Sequence, residues 1–229
     1  MQDTHSNSCS ITQDMIKHSE IDKVLGILAG KQGTTMLERI GRKYNAYEVL
    51  ISTILSARAK DEVTEIVSEN LFKKYPTIQK LAKADRKNVI KIIRKIGFYN
   101  QKAKYVINTA KKVAKDYHGK IPDTTEELMQ LPGVGRKVAS CVMVYSFKKE
   151  ALPVDTHVHQ ISNRLGWLRT KTAEQTEIKL MQIIPRKHWL SLNNIFVHHG
   201  KTICVPVSPF CSKCPIYNYC KRIGVKKSR

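Results

Sequence analysis

Four cysteines near the C-terminus, Cys204, Cys211, Cys214 and Cys220, follow one another with the spacing C-x6-C-x2-C-x5-C. Four thiolates packed into 17 residues, with a C-x-x-C at the centre, suit one tetrahedral or cubane metal site. The donor set alone leaves structural zinc and a [4Fe–4S] cluster as equals. A second chemical group lies upstream, where Leu131-Pro-Gly-Val-Gly-Arg-Lys137 opens a helix with a lysine in its first turn. A third is Val154-Asp-Thr-His-Val-His159, which sets Asp155 ahead of a helical stretch through Ile161 and Leu165.

Gly133 and Gly135, two apart, permit positive φ and let backbone come close to a ligand. The N–H groups at the start of the next helix have no intrahelical partner, and the helix dipole adds partial positive charge. Together they can hold a phosphate without reading its base. Gly133, Val134, Gly135 and Arg136 are therefore expected to form a helix-hairpin-helix grip on a nucleic-acid backbone; a plain inter-helix turn is the alternative. Lys137, near a positive helix end and beside Arg136, should give up its proton more easily. A neutral amine can attack an electrophilic carbon and form a Schiff base. Otherwise Lys137 is one more phosphate-contacting lysine. Asp155 reads as an N-cap, and a carboxylate held that way can act as a base or as counter-charge to a developing cation. His157 and His159 read as polar groups of a pocket rather than zinc ligands.

The whole chain favours a polyanionic partner. Lys plus Arg number 40 against 19 Asp plus Glu, a formal charge of +21 spread along the 229 residues. Nucleic acid is the first candidate for such a field. A lysine-rich solubilising surface would balance Lys with Glu, and this chain does not. No run approaches the ~20 consecutive apolar residues needed to span a bilayer. The opening residues lack the basic-then-apolar pattern of a secretory signal, so an intracellular protein is expected, in cytoplasm and nucleoid or in a nucleus. Reducing conditions there favour metal thiolates over disulfides. Cys9 falls in a polar tail, and Cys141 among apolar residues reads as a small core side chain.

The elements that position these groups read as helices throughout. After a flexible tail over 1–18, helical periods are marked by Ile21, Val24, Leu25 and Leu28, and by Leu50, Ile51, Ile54 and Leu55. Further sets are Val63, Ile66, Val67 and Leu71; Val89, Ile92, Ile93 and Ile96; and Val106, Ile107, Ala110, Val113 and Ala114. Asp123 with Glu126, and Thr172 with Gln175, have capping-box spacing, and Pro185 closes the helix that follows Thr172. The fold class expected is all-α.

These stretches together resemble the endonuclease III family of helix-hairpin-helix DNA glycosylases. The resemblance rests on Leu131–Lys137, Val154–His157, Ile96-Gly-Phe-Tyr-Asn-Gln-Lys102, Ile54-Leu-Ser-Ala-Arg-Ala-Lys-Asp61 and the cysteine spacing, in the family's order over residues 20–222. It implies a two-lobed fold. A helical barrel domain would span 39–149, with the hairpin at about 120–146, and a cluster domain would combine 19–38 with 150–229. Double-stranded DNA with a damaged pyrimidine or an abasic site would lie in the cleft between, and the protein would act as a monomer. Lys137 would attack the sugar and Asp155 would assist, excising the base and nicking the abasic site. The four cysteines would hold a [4Fe–4S] cluster. Arg58 and Phe98 stand where the family often has Gln and Leu, at positions that fill the gap left by the flipped nucleotide. Phe98 could instead be a core aromatic. Asp61 and His157 match polar groups lining the family's base pocket.

Overall fold

The computed structural model describes residues 17–30, 39, 41 and 43–229. The tail expected over 1–18, with Cys9, lies outside the described residues except for Lys17 and His18, which open the first helix. The helices are α1 (His18–Ala29), α2 (Ala46–Ser56), α3 (Asp61–Lys74), α4 (Ile78–Ala82), α5 (Arg86–Ile93) and α6 (Tyr99–Asp116). They continue with α7 (Thr125–Met129), α8 (Arg136–Phe147), α9 (Thr156–Leu165), α10 (Ala173–Ile183) and α11 (Trp189–Thr202). Among the described residues there is no strand, and no helix is long and apolar enough to cross a membrane.

Side chains that satisfy the first N–H groups set where the helices start. Asn45 and Glu48 form a reciprocal capping box on α2. Thr77, Asp85 and Thr172 cap α4, α5 and α10. The cap expected from Asp123 falls one residue later, on Thr124, whose hydroxyl accepts from Glu127 N–H. Asp123 instead receives Lys149 Nζ at 2.6 Å, an ion pair that takes the carboxylate away from the helix. The fourth helical period also stops early: α5 ends at Ile93, and Ile96 is buried just beyond it. Ile66 keeps the helical phase of α3 yet lies exposed, on the side of the helix away from the core.

Two apolar cores form. The first runs from Tyr47 to Ala151 and is built by α2 to α8, with Leu50, Ile51 and Leu55 sealed from solvent. The second gathers Leu152 to Ile216 around α9, α10 and α11, and α1 joins it through Ile21, Val24, Leu25 and Leu28. Burying each such side chain is worth about 1.5–3 kcal/mol, so each core holds its own group of helices. The chain passes between cores at Ala151–Leu152 and leaves a cleft where they face each other.

Candidate active site

The cleft is walled by both cores. Thr53, Ser56, Arg58 and Asp61 line it from the α2–α3 side, with Lys137 and Val138 from the start of α8. Asp155, Thr156 and His157 enter from α9, and Asn193, Val197 and Lys201 from α11. Five residues singled out in the sequence, Arg58, Asp61, Lys137, Asp155 and His157, thus share one space although nearly a hundred positions separate the first from the last.

Asp155 is fixed by its own helix. Its Oδ1 accepts the N–H groups of both His157 and Val158 at 2.9 Å, and Oδ2 has no partner among the described residues. Asn193 Nδ2 donates to Pro153 O at 3.0 Å, which ties the segment ahead of Asp155 to α11. The His157 ring lies against Gly200, where any side chain would overlap it. His159 faces elsewhere: its Nδ1 is 2.6 Å from Thr176 Oγ1, so it belongs to the α9–α10 junction and not to the cleft. Beneath the site, one turn after Lys137, Cys141 is fully buried, and burial pushes its thiol up. The charges of Lys137 and Asp155 both act on that thiol, in opposite senses.

The hairpin is clamped from below. Gly133 has φ +79°, and a Cβ there would sit 2.7 Å from the Tyr105 ring. Thr109 Oγ1 donates to Pro132 O at 2.6 Å. Val134, grouped with the phosphate-contacting residues from its sequence position, turns its side chain into the first core and gives its N–H to Leu131 O. The N–H groups of Gly133, Gly135, Arg136 and Lys137 have no partner among the described residues. Gly135 is exposed, and a Cβ there would meet nothing within 4 Å. Nothing inside the protein requires glycine at 135.

Arg58 and Phe98 lie side by side on two turns, with φ of +53° and +58°. The guanidinium is 6.0 Å from the ring centroid, and Phe98 is 61% exposed, so it is no core aromatic. Two cleft-spanning contacts carry no local sequence signal. Lys201 Nζ meets Asp61 Oδ2 at 2.9 Å across the opening. Glu177 on α10 accepts from Ser140 Oγ at 3.3 Å and stands 4.0 Å from Arg136 Nε. Burial pushes the Glu177 carboxyl up, and Arg136 pulls it back.

The four cysteines line a second, separate cavity with Ile161, Arg164, His199 and Ile216. Arg164 straps the segment leading into it, donating to Cys204 Sγ at 3.2 Å and to the carbonyls of Val205 and Pro206. Burial pushes the Cys214 thiol up to about 11 and raises Cys204 and Cys220 as well. Burial also drives His199, whose Nε2 is 3.7 Å from Cys214 Sγ, down to about 4. Among the described residues, no three Cys, His, Asp or Glu side chains converge to hold a single metal ion.

The model of the HhH-GPD superfamily of base excision DNA repair proteins matches residues 51–186. The chain belongs to this superfamily. Arg58, Asp61, Lys137, Asp155 and His157 all lie within the matched span, whereas the four cysteines lie beyond it. Among superfamily relatives, endonuclease III of Thermotoga maritima is 45% identical over 180 residues, covering 79% of this chain and 84% of that protein. Endonuclease III of Synechocystis is 35% identical over 174 residues, with 76% and 80% covered. Among solved structures, that of a trapped endonuclease III–DNA covalent intermediate, an estranged-adenine complex, superposes with a TM-score of 0.81. Its sequence is 32% identical, and the match covers 91% of this chain and 97% of that one.

Proposed function

We propose that this protein is a bifunctional DNA glycosylase and AP lyase that excises oxidised pyrimidines from duplex DNA and nicks the abasic site through a Lys137 Schiff base. Base excision repair by glycosylase and lyase chemistry is the activity of the chain. The single observation that carries the role assignment is that Lys137 and Asp155 share one cleft, beside a hairpin in which the amides of Gly133, Gly135 and Arg136 have no acceptor among the described residues.

A base inside a duplex is out of reach, so the damaged nucleotide must be extruded. The cleft between the two cores is the place for that guest. The free amides of Gly133, Gly135 and Arg136, at the positive end of α8, take the backbone phosphate. Phe98 and Arg58 slide into the stack and fill the gap, the ring by stacking and the guanidinium by hydrogen bonds to the base left behind. Asp155 Oδ2, the oxygen not used in capping, draws the proton from the Lys137 amine and faces the cation that develops on the sugar. The amine nitrogen bonds to C1′ while the C1′–N bond to the base breaks, its electron pair leaving with the base. Ring opening gives an imine; loss of a C2′ proton then breaks the C3′–O bond and frees the phosphate. Asp61 and His157 line the wall that meets the extruded base.

The donor set at the C-terminus fits a [4Fe–4S] cluster. It consists of four cysteines without a carboxylate, lining one cavity. Cys204, Cys211, Cys214 and Cys220 would hold the cluster, which would cross-link the end of α11 to the final segment. The two apolar cores support a division into two lobes near residue 150, with α1 in the C-terminal lobe. The substrate places the protein with the cell's DNA, in nucleoid or nucleus.

Borohydride trapping on duplexes containing thymine glycol or an abasic site tests the role assignment. A covalent adduct on both, lost in Lys137→Ala, is expected. No adduct from the parent protein, with binding intact, would leave a glycosylase that uses water. Iron and sulfide analysis in equal amounts is expected from protein purified without oxygen; zinc in their place would overturn the cluster.

A further inference from the structure

Of the lysines and arginines among the described residues, only Lys102 is buried, at 4% exposure. Removing an ammonium from water costs free energy that an apolar side chain of the same length would not. The position therefore needs an N–H donor. Lys102 Nζ donates to Leu55 O at 2.8 Å, one of the last carbonyls of α2, where the helix dipole favours a cation. Three residues later comes Arg58, on a turn closed by Ala59 N–H to Ser56 O. The backbone N–H of the same Lys102 donates to Phe98 O at 3.0 Å, next to the bond from Gln101 N–H. The two turns also lie close together: a Cβ on Gly97 would come 3.7 Å from Arg58 O. One residue thus bonds to both turns, and each turn holds its exposed side chain at positive φ, a conformation that costs energy unless its surroundings enforce it.

We propose that Lys102 is a positioning residue, a buried strut that locks the Arg58 turn to the Phe98 turn so that both side chains enter the base stack as one wedge. This rests on the functional reading above, in which Arg58 and Phe98 fill the gap in the DNA. Among the described residues no carboxylate faces the amine, and desolvation lowers it to about 8. Charged or neutral, the amine still has an N–H to donate to Leu55 O, so the strut survives across physiological pH.

The test compares the parent protein, Lys102→Met, Phe98→Ala and the double variant by single-turnover excision of thymine glycol from duplex DNA. Misplacement of a wedge by a fraction of an ångström is expected to slow Lys102→Met by about tenfold or more. Affinity for undamaged duplex should change by less than about threefold, because the phosphate contacts lie elsewhere. The double variant should be no slower than Phe98→Ala, a non-additivity expected when two residues act as one device. A residue that merely supports the fold would add its effect to that of Phe98→Ala, and additivity overturns the proposal. So does excision by Lys102→Met at the parental rate while Phe98→Ala is slow. Phe98→Ala at the parental rate instead overturns the wedge on which the strut rests, leaving the Lys137 chemistry to the trapping experiment. Should Lys102→Met fail to fold, Lys102→Gln, which keeps an N–H on a shorter stem, carries the same comparison.

Discussion

The two hairpin glycines should respond in opposite ways to one added methyl group. At Gly133, alanine must adopt φ +79° and push its Cβ to 2.7 Å from the Tyr105 ring. The left-handed conformation costs about 1–2 kcal/mol and the overlap about 1–3, so Gly133→Ala loses roughly 2–5 kcal/mol. For a domain of this size that lowers Tm by roughly 4–20 °C. At Gly135, φ is −96° and the new methyl meets no atom within 4 Å. The entropy alanine removes from the unfolded chain, about 0.4–1 kcal/mol, offsets a slightly poorer cap, so Tm should stay within about 2 °C. Duplex binding is a different matter. If a phosphate sits on the amides of Gly133, Gly135 and Arg136, the methyl of Gly135→Ala stands in its path. A lost hydrogen bond to a charged group is worth about 1.5–3 kcal/mol, which weakens binding about tenfold to a hundredfold. Thermal melts monitored by circular dichroism and fluorescence anisotropy with a labelled duplex measure both. Parental affinity in a well-folded Gly135→Ala protein would refute the phosphate grip.

Replacing Asp155 separates capping from chemistry. Asp155→Asn keeps the oxygen that accepts from His157 and Val158 and should melt near the parent, whereas Asp155→Ala loses a cap worth about 1–2 kcal/mol. Both should lower the borohydride-trapping rate by about a hundredfold or more, and a fully active Asp155→Asn would remove the carboxylate from the reaction. Binding should be steeply salt-dependent, with a log–log slope on the order of −7 if about eight phosphates are contacted; a nearly flat titration would contradict the electrostatic account. The lowered Lys102 amine has a signature in alkaline melts. Between its folded value of about 8 and the ordinary 10.5, only the unfolded chain holds the proton. The parent should therefore gain stability relative to Lys102→Met as pH rises through that window, and parallel curves would show that the amine is not buried in solution.

What the sequence disclosed were features whose physics is local. The glycine pair, the first turn of α8 and the Asp155 cap depend on a few consecutive residues, and helical period marked the apolar faces of both cores. The all-α architecture followed from those periods. Local rules misled where a distant residue competed: Lys149 takes Asp123 from its helix, so Thr124 caps α7 instead. Ile66 has the right phase for burial, but no element packs over its side of α3. Long-range contacts around the cleft were not legible. Lys201 with Asp61, Glu177 with Ser140, and Asn193 with Pro153 join residues 37 to 140 positions apart, and none stands in a pattern that announces its partner. The burial of Lys102 was equally silent, because its motif marks a helix start and not what the lysine reaches.

The seating of α1 on the C-terminal core bears on the order in which a ribosome can complete this molecule. The first core closes within residues 47–151 and can fold as soon as that stretch has left the exit tunnel. Residues 21–28 emerge long before but must wait for partners that end at Ile216. Until α9 and α11 arrive, Lys137 has no Asp155 or Asn193 opposite it. A nascent chain can therefore carry a finished hairpin, already suited to backbone phosphate, without the means to break a strand. On the roles proposed for Lys137 and Asp155, cleaving competence is acquired only when the last part of the polypeptide docks.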